Sequence, residues 1–526
     1  MRTWKIMIRP DKDAVLCRYF EENTTAAKCM YNAANFYIRN TMTGIRKSPE
    51  ERTSHETEVL HYVFTGIQKA NAHSYEVYCK KKQEGYKKIG GMAGAVAMSK
   101  LKYKVVPYPT RDEWFLSYTV LDAIFKYTDH PTYRRMNSQV NQNAIKKTVK
   151  SWKSYFQLQK DYAIHPEKYK ARPRIPGYIK QPAMTAAYTN QTAKFIRKDG
   201  HVYLRFVNHK PPVLIGKESL YSGMTYVKTE VKPQYGGYSI LLTFKEDIVL
   251  PEVPKSPKRI LGIDVGVDNF CAVANNFGDA PFLIKGGAVK SMNQNFNKER
   301  ARLLSEVTKG SDSTHSKKET KRLHTLSRKR ETRLRDFFYK TAWYLVRYAK
   351  QRQAEVIVAG HNEDQKQNIC IGRQNNQNFV AIPFCRFLDI LRYTAAKAGI
   401  PVVLREESYT SRASLLDLDA IPAYKKGDTT NHTFSGKRVH RGIYKTDKGL
   451  FINADINGAG NILRKEYPYA YDGQELSYLY EPTKVVSYTD IYIGAKSLCN
   501  ERYTGKNHQS GIENVNHQKI FYRKIE

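Results

Sequence analysis

The run Ile260-Leu261-Gly262-Ile263 carries no polar side chain, ends in an acid, Asp264, and breaks at Gly266. A strand without a polar face must be buried on both sides, so the segment demands an interior sheet with Asp264 at its rim. A second acid, Asp455, lies far along the chain in FINADINGAGNIL (451–463), where Asn457, Gly458 and a run of small residues can open a helix packed close to that strand. Neighbouring carboxylates repel unless they are protonated or neutralised by a cation, so the pair reads as a metal site.

Charge indicates what such a metal would act on. Against 50 Asp plus Glu the chain sets 87 Lys plus Arg, a formal net charge of +37 over 526 residues. Such a surplus costs self-repulsion in the folded state and suits a chain whose partner is a polyanion, a nucleic acid. No apolar run approaches the ~20 residues that span a bilayer, and the opening MRTWKIMIRP alternates polar and apolar residues, unlike a signal peptide. Cys17, Cys29, Cys79, Cys271, Cys370, Cys385 and Cys499 are scattered without a CxxC. That spacing argues against a disulfide framework and a Cys-rich zinc site and points to free thiols in a reducing cytoplasm. The length implies roughly three or four domains.

Trp4, Ile6 and Ile8 alternate as in a strand, and residues 24–42 switch to helical spacing, with Thr24 or Thr25 as cap and Gly44 as the end. From about 50 to 165 the pattern stays mostly helical. Within it, Ile145, Val149, Trp152 and Phe156 form an apolar stripe, with Lys146, Lys147, Lys150 and Lys153 mostly off it. The Pro-fixed segment YKARPRIPGYIK (169–180) adds Arg172, Arg174 and Tyr178, and together these make a surface suited to tracking phosphates. Residues 185–250 change period. AKFIRK and HVYLRFV flank Asp199-Gly200 as a hairpin with a type I′ turn, and TYVKTEV and YSILLTF are joined through Gly236-Gly237. The expectation is a small β-barrel completed by the N-terminal strand, closed off by the linker PEVPKSPK (251–258).

After Asp264 the pattern predicts a hairpin over 271–284, a long basic helical stretch from about 297 to 353, a buried strand EVIVAG (355–360), a helix from Pro383 to Gly399, and a strand PVVL (401–404) running into Arg405-Glu406-Glu407. This is an α/β layout with acids at strand ends, where open sheets place their sites.

LGIDVGVDNF, SRKRETRLRDFF (327–338), NEDQKQNICIGRQNNQNFVAIPF (362–384), EESYTSRASLLD (406–417) and NADINGAGNIL occur in an order that resembles the RuvC-type nuclease half of the TnpB proteins of insertion sequences and of the compact type V CRISPR effectors descended from them. The resemblance runs from about 258 to 465 and is weaker before that. It implies a multidomain α+β chain that is an RNA-guided DNA endonuclease. Residues 1–20 would open a wedge domain, 21–184 form a helical recognition lobe, and 185–257 complete the wedge barrel and linker. Residues 258–407 and 451–465 would build an RNase H-like nuclease, interrupted at 408–450 by a target-binding or lid insert without zinc, and 466–526 would extend the C-terminus. The implied partners are a guide RNA and a double-stranded DNA bearing a short flanking motif, in a prokaryotic cytoplasm beside the nucleoid, as monomer or dimer. Arg328, Lys329, Arg330, Arg333, Arg335 and Arg412 join the basic residues above as expected nucleic-acid contacts.

The resemblance also implies an Asp, Glu, Asp set around two Mg²⁺ ions, with Mn²⁺ as a possible substitute. Asp264 and Asp455 match directly. Most relatives end the strand after the long helix in Glu, whereas this chain has Ala359-Gly360. Glu406 and Glu407, at the end of the neighbouring strand, are the favoured replacements; only one should face the metals, because side chains alternate. Glu363 is the fallback. Relatives often carry a Cys-rich ribbon after the TS motif, which is absent here, and His432 and His440 read as surface residues. Two alternatives remain open, a guided repressor that has lost cleavage and an RNase H-like transposase.

Overall fold

The computed structural model describes residues 2–89, 102–103, 105–246, 248–309, 319–361, 382–423, 432–440, 442–480 and 484–491. Glu363 lies outside them. The chain divides into two compact units, one ending at Glu246 and the other beginning at Asp247.

The first unit opens with β1 (Arg2–Ile8) and α1 (Ala14–Gly44). Helix α1 starts ten residues earlier than the pattern predicts. Its cap is Asp13, whose carboxylate accepts from Leu16 N at 2.8 Å, while Thr24 is buried inside the helix with its hydroxyl on Phe20 O. Helices α2 (Ser54–Ile89), α3 (Tyr118–Tyr127), α4 (Pro131–Arg134) and α5 (Ser138–Ile164) follow. The predicted stripe of α5 is the buried one. Ile145, Val149 and Trp152 pack with Met30, Ile38, Val63, Ile67 and Ile124, and the Trp152 indole donates to Asn35 Oδ1 at 2.8 Å.

Seven strands complete this unit: β1 with β2 (Ala186–Thr189), β3 (Ala193–Lys198), β4 (His201–Phe206), β5 (Val213–Lys217), β6 (Met224–Gln234) and β7 (Gly237–Glu246). Asp199 and Gly200 both take positive φ, as a type I′ turn requires, and β3 pairs antiparallel with β4. The second hairpin turns one residue earlier than expected, on Tyr235-Gly236. Gly237 instead begins β7, where a Cβ would run into Ile8 O of β1. No closed barrel forms among the described residues. The strands make a four-stranded sheet, β1-β7-β6-β2, and a separate three-stranded sheet, β3-β4-β5. Their inner residues, among them Tyr188, Leu204, Phe206, Leu242 and Phe244, share one core with Leu16, Phe20 and Ala27 of α1, so the sheets close over a helix and not onto each other.

The second unit is built on a six-stranded sheet, β12-β11-β8-β9-β10-β16. Its strands are β8 (Ile260–Val265), β9 (Asn269–Asn275), β10 (Phe282–Lys285), β11 (Val356–Gly360), β12 (Val402–Arg405) and β16 (Lys484–Val486). β8, β9 and β10 form an antiparallel meander, and β11 and β12 add in parallel on the other side of β8. Helices α6 (Gly287–Thr308) and α7 (Lys321–Gln351) replace the one long basic helix expected, because Lys309 leaves the helical region and Thr320 caps a new start. Then come α8 (Phe384–Lys397), a small sheet of β13 (Lys437–His440), β14 (Ile443–Lys445) and β15 (Phe451–Asn453), and α9 (Ala454–Glu466). The tail contributes β16, which extends the large sheet beside β10.

Alternation along the central strands decides what faces what. Leu261, Ile263, Ile357 and Ala359 pack under α7 and α8, against Phe337, Phe338, Phe387 and Leu391. Ile260, Val356 and Val358 face the other way, toward Ile456, Ala459, Ile462 and Leu463 of α9. Gly262, Asp264 and Gly360 share that second parity, so Asp264 belongs to the α9 face.

Candidate active site

Helix α9 begins where the motif predicts. The Asn453 side chain accepts from Asp455 N at 2.9 Å and Ile456 N at 3.2 Å, which satisfies two orphan donors and sets Asp455 in the first turn, where the helix dipole favours an anion. The small residues after it are contact points. A Cβ on Gly262 of β8 would collide with Ala459 O, and one on Gly458 would stand 2.8 Å from Asp264 Oδ2. Gly460 similarly accommodates Leu415. On another face, Asn457 and Asn461 bind the EESYTSRASLL segment. Asn457 accepts from Leu415 N at 2.9 Å and donates to Ala413 O at 2.8 Å, and Asn461 donates to Thr410 O and Ala413 O at 2.9 and 2.7 Å. One helix thus packs on the first acid's strand, carries the second acid and ties down the loop that follows Glu406 and Glu407.

Asp264 lies against Gly458, one helical turn from Asp455. Its carboxyl is raised well above the ordinary aspartate range, first by loss of solvation and second by the Asp455 charge. Asp455 Oδ2 accepts from Asn269 Nδ2 at 2.6 Å, and Asn269 Oδ1 accepts from Lys285 Nζ at 3.0 Å. Asn269 and Lys285 were not anticipated. The only signal for Asn269 was its place five residues after Asp264, beyond a turn, and Lys285 had none.

The structure separates the two glutamates at the end of β12. Glu406 accepts from the Lys465 ammonium at 2.6 Å and from Ser408 N at 2.5 Å. Burial would raise its pKa, but these hydrogen bonds win and lower it. Lys465 is held just as firmly, with its side chain only 7 % exposed and a second bond to Ser408 O at 2.9 Å. Glu407 turns elsewhere: a Cβ on Gly360 would run into its Oε1 and Cγ and into Ile462 Cδ1. Gly360 follows Ala359, which pairs with Ile263, so it stands beside Asp264 on the adjacent strand. A side chain at 359 would enter the apolar core under α7; the missing side chain at 360 gives the space that Glu407 takes. Among the described residues, no three His, Cys, Asp or Glu side chains close on a single point.

The insert after the TS motif is held by a polar network. Asp417 Oδ2 accepts from Ser414 Oγ at 2.6 Å and Asp447 N at 3.1 Å; Asp419 accepts from Ser414 N at 2.8 Å and Ser435 Oγ at 2.6 Å. His432 packs on the Tyr409 ring and His440 is exposed. Of the expected nucleic-acid contacts, Lys146, Lys147, Lys150 and Lys153 are exposed on α5, and Arg172, Arg174 and Tyr178 are exposed on the 169–180 segment. Lys329 and Arg333 are exposed on α7, Arg328 and Arg335 half-buried, and Arg330 donates to Asn293 Oδ1 at 2.8 Å and covers the Phe296 ring. Arg412 is exposed beside Phe434.

Residues 227–366 match a family model described as OrfB_IS605, probable transposase, and residues 384–462 match one described as Cas12f1-like, TNB domain. The resemblance to TnpB and compact type V effectors drawn from the motifs is therefore supported by two independent stretches. No curated protein matches the chain. Among solved structures, a Cas12f1–sgRNA–target DNA complex aligns at 13 % identity and TM-score 0.42, over 88 % of this chain and 98 % of that one. Alicyclobacillus acidoterrestris C2c1 with single-guide RNA aligns at 9 % identity and TM-score 0.38, over 90 % and 89 %. Among the described residues, no helix is long and apolar enough to cross a membrane.

Proposed function

We propose that this chain is an RNA-guided DNA endonuclease of the TnpB and Cas12f-like kind, cutting target phosphodiesters at one RuvC-type, metal-dependent centre. The observation that carries the reading is Asp264 on the end of β8 lying against Gly458 of α9, near enough to Asp455 of the same helix for the two charges, drawn from distant segments, to repel. Support for an RNase H-like domain comes from the meander β8-β9-β10 with β11 and β12 added in parallel. The residues fit a hard divalent cation, since all the candidate donors are carboxylate oxygens. Asp264, Asp455 and Glu407 would hold Mg²⁺, with Mn²⁺ as substitute. When bound, such ions supply an activated water and stabilise the leaving 3′ oxygen. Asn269 fixes one oxygen of Asp455, Gly458 leaves room for Asp264, and Lys465 draws Glu406 away so that Glu407 is the third acid.

Lys146, Lys147, Lys150, Lys153, Arg172, Arg174, Lys329, Arg333 and Arg412 would track the guide RNA and the DNA strands, and a short flanking DNA motif would be read by the protein. The guided-repressor alternative draws on one observation, that no three acids converge among the described residues. Sequencing the RNA that copurifies, followed by cutting assays with that RNA and matched DNA in Mg²⁺, tests both. Cutting by wild type and binding without cutting by Asp264→Ala are expected. Binding without cutting by wild type selects the repressor, strand joining in place of cutting selects a transposase, and full cutting by Asp264→Ala overturns the site.

A further inference from the structure

The first unit contains a cleft of about 350 Å³ between α1, α2 and the 169–180 segment, whose walls include Phe36, Tyr37, Tyr62, His130 and Tyr178, with Glu58 at its edge. Its size is at the low end for sites that take small planar ligands, roughly 300–1,000 Å³. Tyr37 is buried at 5 % exposure and belongs to the helical core, whereas Tyr62 and Tyr178 stand 38 % and 43 % exposed at the mouth. Tyr62 and Tyr178 thus leave apolar ring surface open beside the hollow, and an aromatic ring offers a face on which a flat group can stack.

The segment carrying Tyr178 is tied to α1 by hydrogen bonds. Asn32 brackets Ile179 through both its N–H and its carbonyl, at 2.8 and 3.1 Å, and Asn35 donates to Pro176 O at 3.1 Å and Gly177 O at 3.2 Å. Arg39 donates to Pro176 O and lays its guanidinium over the Tyr178 ring, 4.9 Å from the centroid. The polar edge is also defined. His130 Nδ1 accepts from Thr132 N at 3.2 Å, which puts the ring proton on Nε2 as a donor, and burial lowers the histidine's pKa and keeps the ring neutral. The Glu58 carboxylate supplies an acceptor.

We propose that this cleft takes one unstacked nucleobase from a single strand, held between the Tyr62 and Tyr178 rings with its edge read by His130 and Glu58. A cationic ligand is disfavoured because the Arg39 guanidinium already lies over one face of the Tyr178 ring and the chain carries a net charge of +37. A paired base is disfavoured because it would have to leave its stack to enter. The exposed Lys150, Lys153, Arg172 and Arg174 of the same unit supply the phosphate attraction that a single strand needs. The inference rests on the nucleic-acid reading above and adds a base-sized site to it.

The test uses the full chain and fluorescently labelled 20-nucleotide single strands, one RNA and one DNA of the same sequence, titrated across a salt series. The double variant Tyr62→Ala/Tyr178→Ala should bind one or both strands roughly 5- to 150-fold more weakly with the same salt slope as wild type, because no phosphate contact is lost. Tyr62→Phe/Tyr178→Phe should restore binding, since phenylalanine stacks without the hydroxyl. The strand that loses affinity identifies the source of the base. An abasic strand should bind wild type and the Ala variant equally. Unchanged binding by the Ala variant, or a loss that persists on the abasic strand, overturns the cleft while leaving the nucleic-acid reading intact. Failure of wild type to bind either strand overturns the nucleic-acid reading itself.

Discussion

Two acidic clusters adjoin helix α9, and they differ in what surrounds their charge. Asp417 and Asp419 are ringed by donors from Ser414, Ser435 and Asp447 N, so their oxygens are satisfied within the chain. Asp264 loses solvation and feels the Asp455 charge, with Asn269 fixing one oxygen of Asp455. The first arrangement satisfies its charges within the chain; in the second, burial and a neighbouring like charge both oppose ionisation of Asp264. The lesson is that acid content alone does not separate the two clusters, whereas the compensation of their charge does.

The largest expected effect separates the clusters by activity. Asp264→Ala and Glu407→Gln should each reduce Mg²⁺-dependent cutting on the order of 10³-fold, equivalent to several kcal/mol of transition-state stabilisation. Asp417→Asn and Glu406→Gln should leave it within about tenfold in the same range of reasoning, once folding is matched. Equal losses in Glu406→Gln and Glu407→Gln would erase the distinction drawn at the end of β12. Next in size, Asn269→Ala should weaken cutting or metal affinity roughly 10- to 100-fold, as expected of a residue that orients a ligand; titrating Mg²⁺ against cutting rate would show it as a raised metal requirement.

Stability should then move in opposite directions. In a chelator, Asp264→Asn should stabilise the protein by about 1–3 kcal/mol, because it removes a charge that burial and Asp455 both oppose. Asp417→Asn should destabilise it by about 1–3 kcal/mol, because three donors converge on one carboxylate oxygen and lose its charge. Thermal unfolding reads both, and a drop for Asp264→Asn would remove the contrast. The pH dependence has a definite sign. Asp264 binds its proton more tightly folded than unfolded, so without metal its contribution favours the fold at acid pH and is lost as pH rises through the raised folded value. Added Mg²⁺ should stabilise wild type at the upper end of that range and leave Asp264→Asn unmoved. The smallest effect is expected of Ser435→Ala, about 1 kcal/mol of stability with cutting unchanged; a cutting defect there would make the insert part of the chemistry.

Much of the second unit was legible because its strands and helices carry strong local signals. The apolar runs 260–263 and 356–360 read as interior strands, Pro383 and Gly399 bracket α8, and the Asn453 cap with its small-residue run marks α9. Elements with weaker signals were misjudged. The start of α1 was missed because Asp13 is one cap candidate among several polar residues, and a barrel was expected because strand count says nothing about what seals the seam. β16 was missed because three residues give no period to read.

By itself the sequence determined two acids in separated motifs and a basic surplus, and its resemblance to TnpB proteins implied a gap at Ala359-Gly360 with two adjacent glutamates to fill it. Hydrophobic period and motif order are local and survive in one dimension. Only the tertiary structure gives the two glutamates different surroundings. Lys465 lies across the chain from Glu406, and the space over Gly360 exists only because β11 pairs in register with β8 beneath α9. Contacts between segments that far apart are set by packing, and no local pattern encodes them.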